Sequence, residues 1–267
     1  MIEPLTPVVE LQSRLGRVGS IQAWNPWESR KSVAHAKWWV AKIASLSYGN
    51  DAAKNPEALF QSIVERGHLS CLEFVPGAAT DYRHLPAVSM RHWFSGWDTP
   101  AAWGEQNAQE GSRMAPASAF LVTCPLYTRS QWMRHRSFSY LEMSRRYTKG
   151  SKVQWHYYGD VFRQEDGCPE QLRDPMALRS IVNFWEACEA EYQRRLDAGW
   201  PNEIARGCMP VEAMTRFWVA GFNRDWEAFL KLRDDPHAQP EIRVFAQWIR
   251  NHLHPESASI DAGNLGT

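Results

Sequence analysis

The chain has 267 residues, and its 30 lysines and arginines are balanced by 30 aspartates and glutamates. That length is enough for a large hydrophobic core within one domain. Zero net charge argues against a protein that coats nucleic acid or a membrane surface through its overall field. Any anion-binding site must therefore be local.

The cysteines and the apolar runs indicate the compartment. Five cysteines, an odd number without a C-x-x-C pair, are typical of reduced thiols in a cytosolic protein. We expect no signal peptide, and no apolar run approaches the roughly 20 residues of a membrane helix. The sequence therefore predicts a soluble, cytoplasmic protein without a membrane partner.

Two helices are predicted near the start of the chain. Residues 31–47, KSVAHAKWWVAKIASLS, have helical periodicity. The segment NPEALFQSIVERG offers Asn55 as N-cap, Pro56 at the first helical position and Gly67 as terminator. Residues 21–27 are too short to classify.

The middle of the chain changes character. Residues 76–118 hold many prolines and glycines with three tryptophans between them, which indicates a long, partly ordered excursion. Residues 118–124, SAFLVTC, are typical of a buried strand, and Pro125 can start the helix that follows.

Helices dominate the C-terminal half. Asp174 is a predicted N-cap, followed by a helix from Pro175 that Gly199 ends. We predict that Asp225 caps a helix in DWEAFLKLR and that Asp235-Pro236 starts a last one. Together the elements predict an α+β fold, a helix-rich single domain with a central sheet and a helical C-terminal half.

Positive charge is concentrated in residues 134–147, RHRSFSYLEMSRRY. Arginine forks match the oxygens of phosphate, and serine and histidine add shorter donors. Glu142 favours a nucleotide over inorganic phosphate, because a carboxylate there can accept from a base or ribose or orient an arginine. The alternative is a solvated basic face with ion pairs worth about 0 to 1 kcal/mol each.

Other chemistries find less support. The sequence has no G-x-G-x-x-G, P-loop, H-E-x-x-H or G-x-S-x-G motif. We predict no metal site, since His252-x-His254 lies near an exposed end. The aromatic residues near the cluster allow nucleic-acid binding, but the neutral overall charge weakens that interpretation.

The spacing of the cluster resembles the signature of the flavin-dependent thymidylate synthases. It reads Arg134-His135-Arg136, seven residues, then Ser144, with Glu142 two residues before that serine. Further similar patterns are Gly67-His68-Leu69-Ser70 with Glu73, Ala205-Arg206 before Met209-Pro210, Thr215-Arg216, and Leu232-Arg233 followed by His237-Ala238-Gln239. The resemblance covers residues 41–75 and 119–250.

This resemblance implies a function. The family converts dUMP to dTMP, with methylenetetrahydrofolate giving the carbon, reduced FAD the hydride, and NADPH reducing the flavin. Its members are homotetramers with active sites assembled from several subunits. We therefore expect one domain over residues 1–267, with an insertion at about 76–118 of unassigned role.

The resemblance also assigns residues. Those that would hold the nucleotide are Gln131, Arg134, Glu142, Ser144, Arg145, Arg146, Arg206 and Arg233. Those that would face the flavin are Ser47, His68, Ser70, Arg134, His135, Arg136 and Glu142. Arg233 would be catalytic, stabilising negative charge at N3 and O4 of the pyrimidine. We expect no cysteine nucleophile, and Ser144 would be a hydrogen-bond donor.

Three positions depart from the family pattern. Leu141 replaces an asparagine, and Phe222 and Ala228 stand where polar residues lie near the FAD adenine. We predict that Phe222 stacks on the adenine instead, since an aromatic face is worth about 1 to 3 kcal/mol to a base. Two alternatives remain open: methylation of another pyrimidine nucleotide such as UMP, and a non-catalytic nucleotide- or RNA-binding module.

Overall fold

The computed structural model describes seven parts of the chain, residues 6–13, 16–24, 33–50, 53–66, 68–74, 116–148 and 174–255. Within them, seven α-helices and five strands form an α+β fold, which confirms the predicted class. Most of the excursion predicted at 76–118 lies outside the described residues, as do Gly67 and Cys168.

A single antiparallel sheet organises the described residues. Its strands are β1 (Val9–Ser13), β2 (Gly16–Trp24), β3 (Pro116–Pro125), β4 (Ser139–Glu142) and β5 (Met214–Phe222). They lie in the order β1-β2-β3-β5-β4. β3 confirms the predicted buried strand and begins two residues earlier, whereas the other four strands were not predicted.

Helices cover both faces of the sheet. They are α1 (Val33–Ser45), α2 (Pro56–Glu65), α3 (Leu126–Trp132), α4 (Pro175–Asp197), α5 (Asn202–Ala205), α6 (Asn223–Arg233) and α7 (Pro240–Leu253). Short 3-10 turns follow at Leu46–Tyr48, Leu69–Phe74 and Arg206–Cys208. No helix in the described ranges combines the length and the apolar character needed to cross a bilayer.

The predicted helix caps of α2 and α4 are confirmed. The Asn55 side chain accepts from the Ala58 backbone N–H at 3.1 Å, and that of Asp174 accepts from Met176 at 2.9 Å. Each cap satisfies one amide that the first helical turn leaves unpaired. Gly199, with φ of 79°, takes the left-handed conformation just beyond α4.

Two predicted helix starts were wrong. β5 runs directly into α6, so Asp225 lies buried in the first turn of that helix and does not precede it. The last helix begins at Pro240. Asp235 instead accepts from the His237 backbone N–H at 2.8 Å. This hydrogen bond closes a local turn, so the carboxylate does not cap a helix.

The sheet separates two cores because successive strand residues point to opposite faces. On one face, Trp24 stacks on Trp39 of α1 with ring centroids 4.3 Å apart. On the other, the neighbouring strands contribute Phe120 and Phe217, which pack with α3, α6 and α7. The two cores bury five tryptophans of the described residues, Trp24, Trp39, Trp132, Trp218 and Trp226.

Gly221 allows the basic segment to lie close to β5. A Cβ at this position would come within 2.3 Å of a carbon of the Phe138 ring. Phe138 is fully buried and directly precedes β4. Its packing therefore fixes where the charged segment leaves the core.

Candidate functional site

The basic segment is held between α3 and β5. α3 begins where the Leu126 and Tyr127 N–H groups donate to the carbonyls of Ala213 and Val211, at 3.1 and 3.2 Å. The segment then turns and forms β4, which pairs with β5 so that Glu142 lies opposite Phe217. The structure divides the predicted residues among three places.

The first place is a cavity of about 490 Å³, which we call the Glu142 cavity. Four predicted residues line it: Glu142, Ser144, Arg145 and Arg206. Arg129 and Thr215 also line it, although no role in the site was predicted for either residue. Three arginines and two glutamates, Glu142 and Glu203, thus line one concave surface.

Glu142 forms the best-defined contacts of this cavity. Arg129 donates to both carboxylate oxygens, from Nε to Oε1 at 3.0 Å and from Nη2 to Oε2 at 2.7 Å. The Thr215 hydroxyl donates to Oε1 at 2.7 Å. The sequence allowed Glu142 either to accept a hydrogen bond from a base or ribose or to orient an arginine, and the structure shows the contact with an arginine. Arg129 was missed because it lies on the helix α3 and its partner on the strand β4, and no local sequence pattern connects them.

Arg145 is partly buried in the same cavity. Its Nη2 donates to the Met214 carbonyl at 3.1 Å. Burial lowers the pKa of Arg145, while the nearby Tyr192, Glu142 and Glu189 act in the opposite direction. Because a guanidinium stays charged in proteins, partial desolvation favours an anionic ligand beside it.

Ser144 and Arg146 form the turn after β4. The Ser144 hydroxyl accepts from the Arg146 backbone N–H at 3.2 Å, and its own N–H donates to the Ser47 carbonyl at 3.2 Å. The Arg146 guanidinium is exposed and its Nε lies 4.0 Å from Glu203, which lines the cavity. These contacts hold the turn after β4 beside the cavity.

The second place is the Arg233 cluster, formed by Arg233, His135 and Gln131. Arg233 Nε donates to His135 Nε2 at 2.9 Å. Its two terminal nitrogens donate to Gln131, one to Oε1 at 3.4 Å and one to the backbone carbonyl at 3.3 Å. Gln131 in turn donates to Oε1 of Gln239. Neutral acceptors therefore orient this arginine.

The histidine of this cluster is held in its neutral form. Burial, together with the positive charge of Arg233, lowers the pKa of His135 to about 4. Burial also lowers the pKa of Arg233, as does the charge of Arg134. Arg134 and Arg136 are exposed at the same turn. The cluster thus concentrates positive charge at the end of α3.

The third place is a cavity of about 150 Å³, which we call the Ser70 cavity. It brings together Ser47, His68 and Ser70, three residues predicted to face the flavin. Leu141 also lines it and is buried in the core that contains α1 and α2. That position explains the apolar residue at 141, where the family pattern has asparagine.

These three places do not merge into one pocket within the described part of the chain. The Glu142 and Ser70 cavities are neighbours, since residues 142–145 line the first, Leu141 and Tyr147 line the second, and the Ser144 N–H donates to the Ser47 carbonyl. The Arg233 cluster contacts Gln131 at the C-terminal end of α3, whereas Leu126 at the start of that helix lines the Glu142 cavity. The side chains of Phe222 and Glu73 lie outside what the structure describes, so the stacking of Phe222 on an adenine stays a prediction.

Two of the four described cysteines are buried, and the other two are partly exposed. Cys71 and Cys124 are buried. Burial, with the negative charge of Glu142, raises the pKa of Cys124 well above its usual value, although Arg129 opposes the shift. A thiol must ionise to act as a nucleophile, so Cys124 is poorly suited to that role.

The two histidines near the C-terminus have protein partners. The His252 ring stacks on Trp248 with centroids 5.2 Å apart, and His254 Nε2 lies 2.8 Å from a Glu227 oxygen. Among the residues that the structure describes, no group of three or more histidines, cysteines or carboxylates could hold a metal ion.

Sequence relatives point to one group of enzymes. The chain is 31% identical over 137 residues to the flavin-dependent thymidylate synthase of Aquifex aeolicus, covering 49% of this chain and 43% of that protein. It is 37% identical over 130 residues to that of Thermotoga neapolitana, covering 48% and 56%. The chain thus spans about half the length of the relatives it matches.

Solved structures give a weaker likeness. A UMP/dUMP methylase from Streptomyces cacaoi is 24% identical, with a TM-score of 0.44 over 72% of this chain and 83% of that one. A second structure of this methylase is 28% identical, with a TM-score of 0.41 over 51% and 67%.

A family model described as thymidylate synthase complementing protein matches residues 114–257, more than half of the chain. That range contains Glu142, Arg233 and the strands that position them. The chain belongs to the thymidylate synthase complementing protein family.

Proposed function

We propose that this protein methylates C5 of a pyrimidine nucleotide, converting dUMP to dTMP with methylenetetrahydrofolate as carbon donor and NADPH as reductant. The observation that carries the proposal is the Glu142 cavity, where Arg129, Arg145 and Arg206 converge with two carboxylates and two hydroxyls. Relatives that bear the name flavin-dependent thymidylate synthase support it.

The Glu142 cavity fits a nucleotide in size and in charge. Its volume of about 490 Å³ lies within the ~300–1,000 Å³ that small-molecule sites occupy. Arg145, Arg206 and the Ser144 hydroxyl would bind the phosphate, with Arg146 at the rim, because arginine forks match phosphate oxygens. Glu142 would accept a hydrogen bond from the sugar or base.

The Ser70 cavity fits part of a flavin. Ser47, His68 and Ser70 offer hydrogen-bond donors to the carbonyl and phosphate oxygens of a flavin nucleotide. Its volume of about 150 Å³ is below that of a whole cofactor site. We propose that Arg134, His135 and Arg136 bind the remainder and that the site is shared between subunits of a homotetramer.

Arg233 would act on the nucleotide base. FAD, when bound, supplies the hydride that completes the methyl group. Arg233, held by His135 and Gln131, would stabilise negative charge at N3 and O4 as C5 becomes nucleophilic. Because His135 is a neutral acceptor, the charge of Arg233 stays available to the substrate. Gln131 and Arg134, which lie close to Arg233, would also contact the nucleotide.

Two measurements test this function. An absorbance spectrum of the purified protein should show bound flavin, and dUMP with methylenetetrahydrofolate and NADPH should yield dTMP. UMP assayed in parallel identifies the preferred sugar. A colourless protein that forms no methylated nucleotide from either substrate would refute the proposal, and a strict monomer that forms dTMP would refute shared active sites.

A further inference from the structure

We propose that Arg129 is a positioning residue that fixes the Glu142 carboxylate as the acceptor for a hydroxyl or N–H group of the nucleotide. This inference rests on the proposed function and assigns a role to a residue outside the Arg134–Tyr147 cluster. Arg129 lies on α3, Glu142 at the end of β4 and Thr215 on β5. The contact therefore joins three elements at the cavity wall.

The hydrogen bonds leave Glu142 with a defined unused acceptor site. Oε1 accepts from Arg129 Nε and from the Thr215 hydroxyl, and Oε2 accepts from Arg129 Nη2. An ionised carboxylate can accept about four hydrogen bonds. The site that remains is on Oε2, in a side chain that is 24% exposed and lines the cavity.

The two-pronged contact does what a single hydrogen bond would not. Two parallel N–H to oxygen bonds fix the plane of the carboxylate as well as its position. With Thr215 alone, the carboxylate could rotate toward the other cations of the cavity. Glu142 already interacts electrostatically with Arg145. Arg129 thus keeps the negative charge away from the arginine that would bind phosphate.

The chemistry of the acceptor limits what it can recognise. A carboxylate accepts hydrogen bonds from donors, so phosphate oxygens and the O4 carbonyl of uracil do not suit it. The donors of a uridine nucleotide are its sugar hydroxyls and the base N3–H. We infer that Glu142, held by Arg129, reads one of these groups.

Nucleotide binding measured by calorimetry tests the inference without requiring turnover. Three ligands are compared: dUMP, its analogue lacking the 3′-hydroxyl, and dUMP methylated at N3. Wild-type protein should bind one analogue roughly tenfold or more weaker, because a hydrogen bond to a charged group is worth about 1.5–3 kcal/mol. In Arg129→Gln, the affinity for dUMP should fall about tenfold. The ratio of the affinities for dUMP and for that analogue, which we call the discrimination, should fall to about one.

Two further variants separate positioning from charge. Arg129→Lys keeps the charge without the fork and should restore dUMP affinity only in part. Thr215→Val removes one bond to Oε1 and should reduce the discrimination less than Arg129→Gln. Arg17→Gln is the matched control, because Arg17 pairs with Glu10 on the exposed surface at 2.6 Å, away from the cavity.

Each outcome decides the matter. Unchanged discrimination in a folded Arg129→Gln variant overturns the inference, and so does full restoration by lysine. Equal weakening of all three ligands would show that Arg129 binds phosphate or only supports the fold. If wild-type protein does not bind dUMP, the proposed function fails and the inference fails with it.

Discussion

The Glu142 cavity and the Arg233 cluster hold an arginine in opposite ways. Arg129 meets a carboxylate and donates to both of its oxygens, at 3.0 and 2.7 Å. Arg233 meets a neutral imidazole and an amide carbonyl, at 2.9 and 3.4 Å. The first arrangement uses positive charge to build an acceptor, whereas the second orients a cation and leaves its charge for a ligand.

The largest expected effect comes from the Arg233 cluster. Arg233→Ala should lower kcat more than it raises KM, because its charge is needed most when negative charge develops on the base. Arg146→Ala should mainly raise KM for the nucleotide. We expect changes of roughly tenfold or more in steady-state kinetics, from about 1.5–3 kcal/mol per charge-assisted hydrogen bond.

A matched assay controls this comparison. Both variants should still show a cooperative unfolding transition. Arg146→Ala should keep the wild-type midpoint because Arg146 is exposed, whereas Arg233→Ala should have a lower midpoint because it loses the hydrogen bonds to His135 and Gln131. Equal changes in kcat and KM for both variants would contradict the division between a charge for the reaction and a charge for binding.

The second effect concerns stability at the Glu142 cavity. Glu142→Gln should lower the free energy of unfolding by about 1–3 kcal/mol, because it leaves a partly buried arginine without its counterion. His135→Asn should cost less than about 1 kcal/mol, since asparagine keeps a neutral acceptor for Arg233. Urea unfolding at pH 7.5 measures both free energies of unfolding. Equal losses of stability in the two variants would contradict the difference between the charged contact of Glu142 and the neutral contact of His135.

The third effect is a pH dependence specific to the Arg233 cluster. The folded pKa of His135 is lowered to about 4, below the ordinary value of 6.5. Between these values the unfolded chain binds a proton that the folded chain does not, so this contribution to stability is present above pH 6.5 and lost as pH falls toward 4. Wild-type protein should therefore lose more stability over that range than His135→Asn.

Denaturant unfolding at pH 7, 5.5 and 4.5 is the measurement for this third effect. Glu142→Gln should retain the histidine-dependent loss, because His135 is unchanged in that variant. Parallel pH profiles for wild type and His135→Asn would show that the imidazole does not titrate as the geometry implies.

The smallest expected effect is at Cys124, beside the Glu142 cavity. Cys124→Ala should leave turnover within a few-fold of wild type, since burial raises the pKa of the thiol and no thiolate is available for attack on the base. Loss of turnover in a folded variant would mean that the Cys124 thiol, at the end of β3, takes part in covalent chemistry.

Local signals in the sequence were enough for several elements. Asn55 and Asp174 accept from backbone amides as their cap positions predict, and the apolar run before Pro125 forms β3. β5 escaped prediction because RFWVAGF runs without a turn into the helix that follows. Asp225 and Asp235 were misleading because an aspartate before a helical pattern can also lie inside the helix or close a local turn.

The candidate site was predictable only as a set of residues. Its spacing identified the basic segment, and Glu142, Ser144, Arg145 and Arg206 do line one cavity. The pairs of contacting side chains could not be predicted, because Arg129 lies on α3 and Glu142 on β4 and the fold brings them together. The separation of Arg233 from this cavity also depends on tertiary packing, which spacing along the chain does not encode.

The pairing of β3 with β5 has a consequence for how the site comes into existence. These strands are distant in sequence, and the Trp226 indole that follows them donates to the Ser118 carbonyl 108 positions earlier. Contacts of such long range slow folding, because chain entropy is lost before they form. The wall of the Glu142 cavity includes Thr215 on β5. During synthesis, the cavity therefore cannot be completed until β5 has emerged and joined β3.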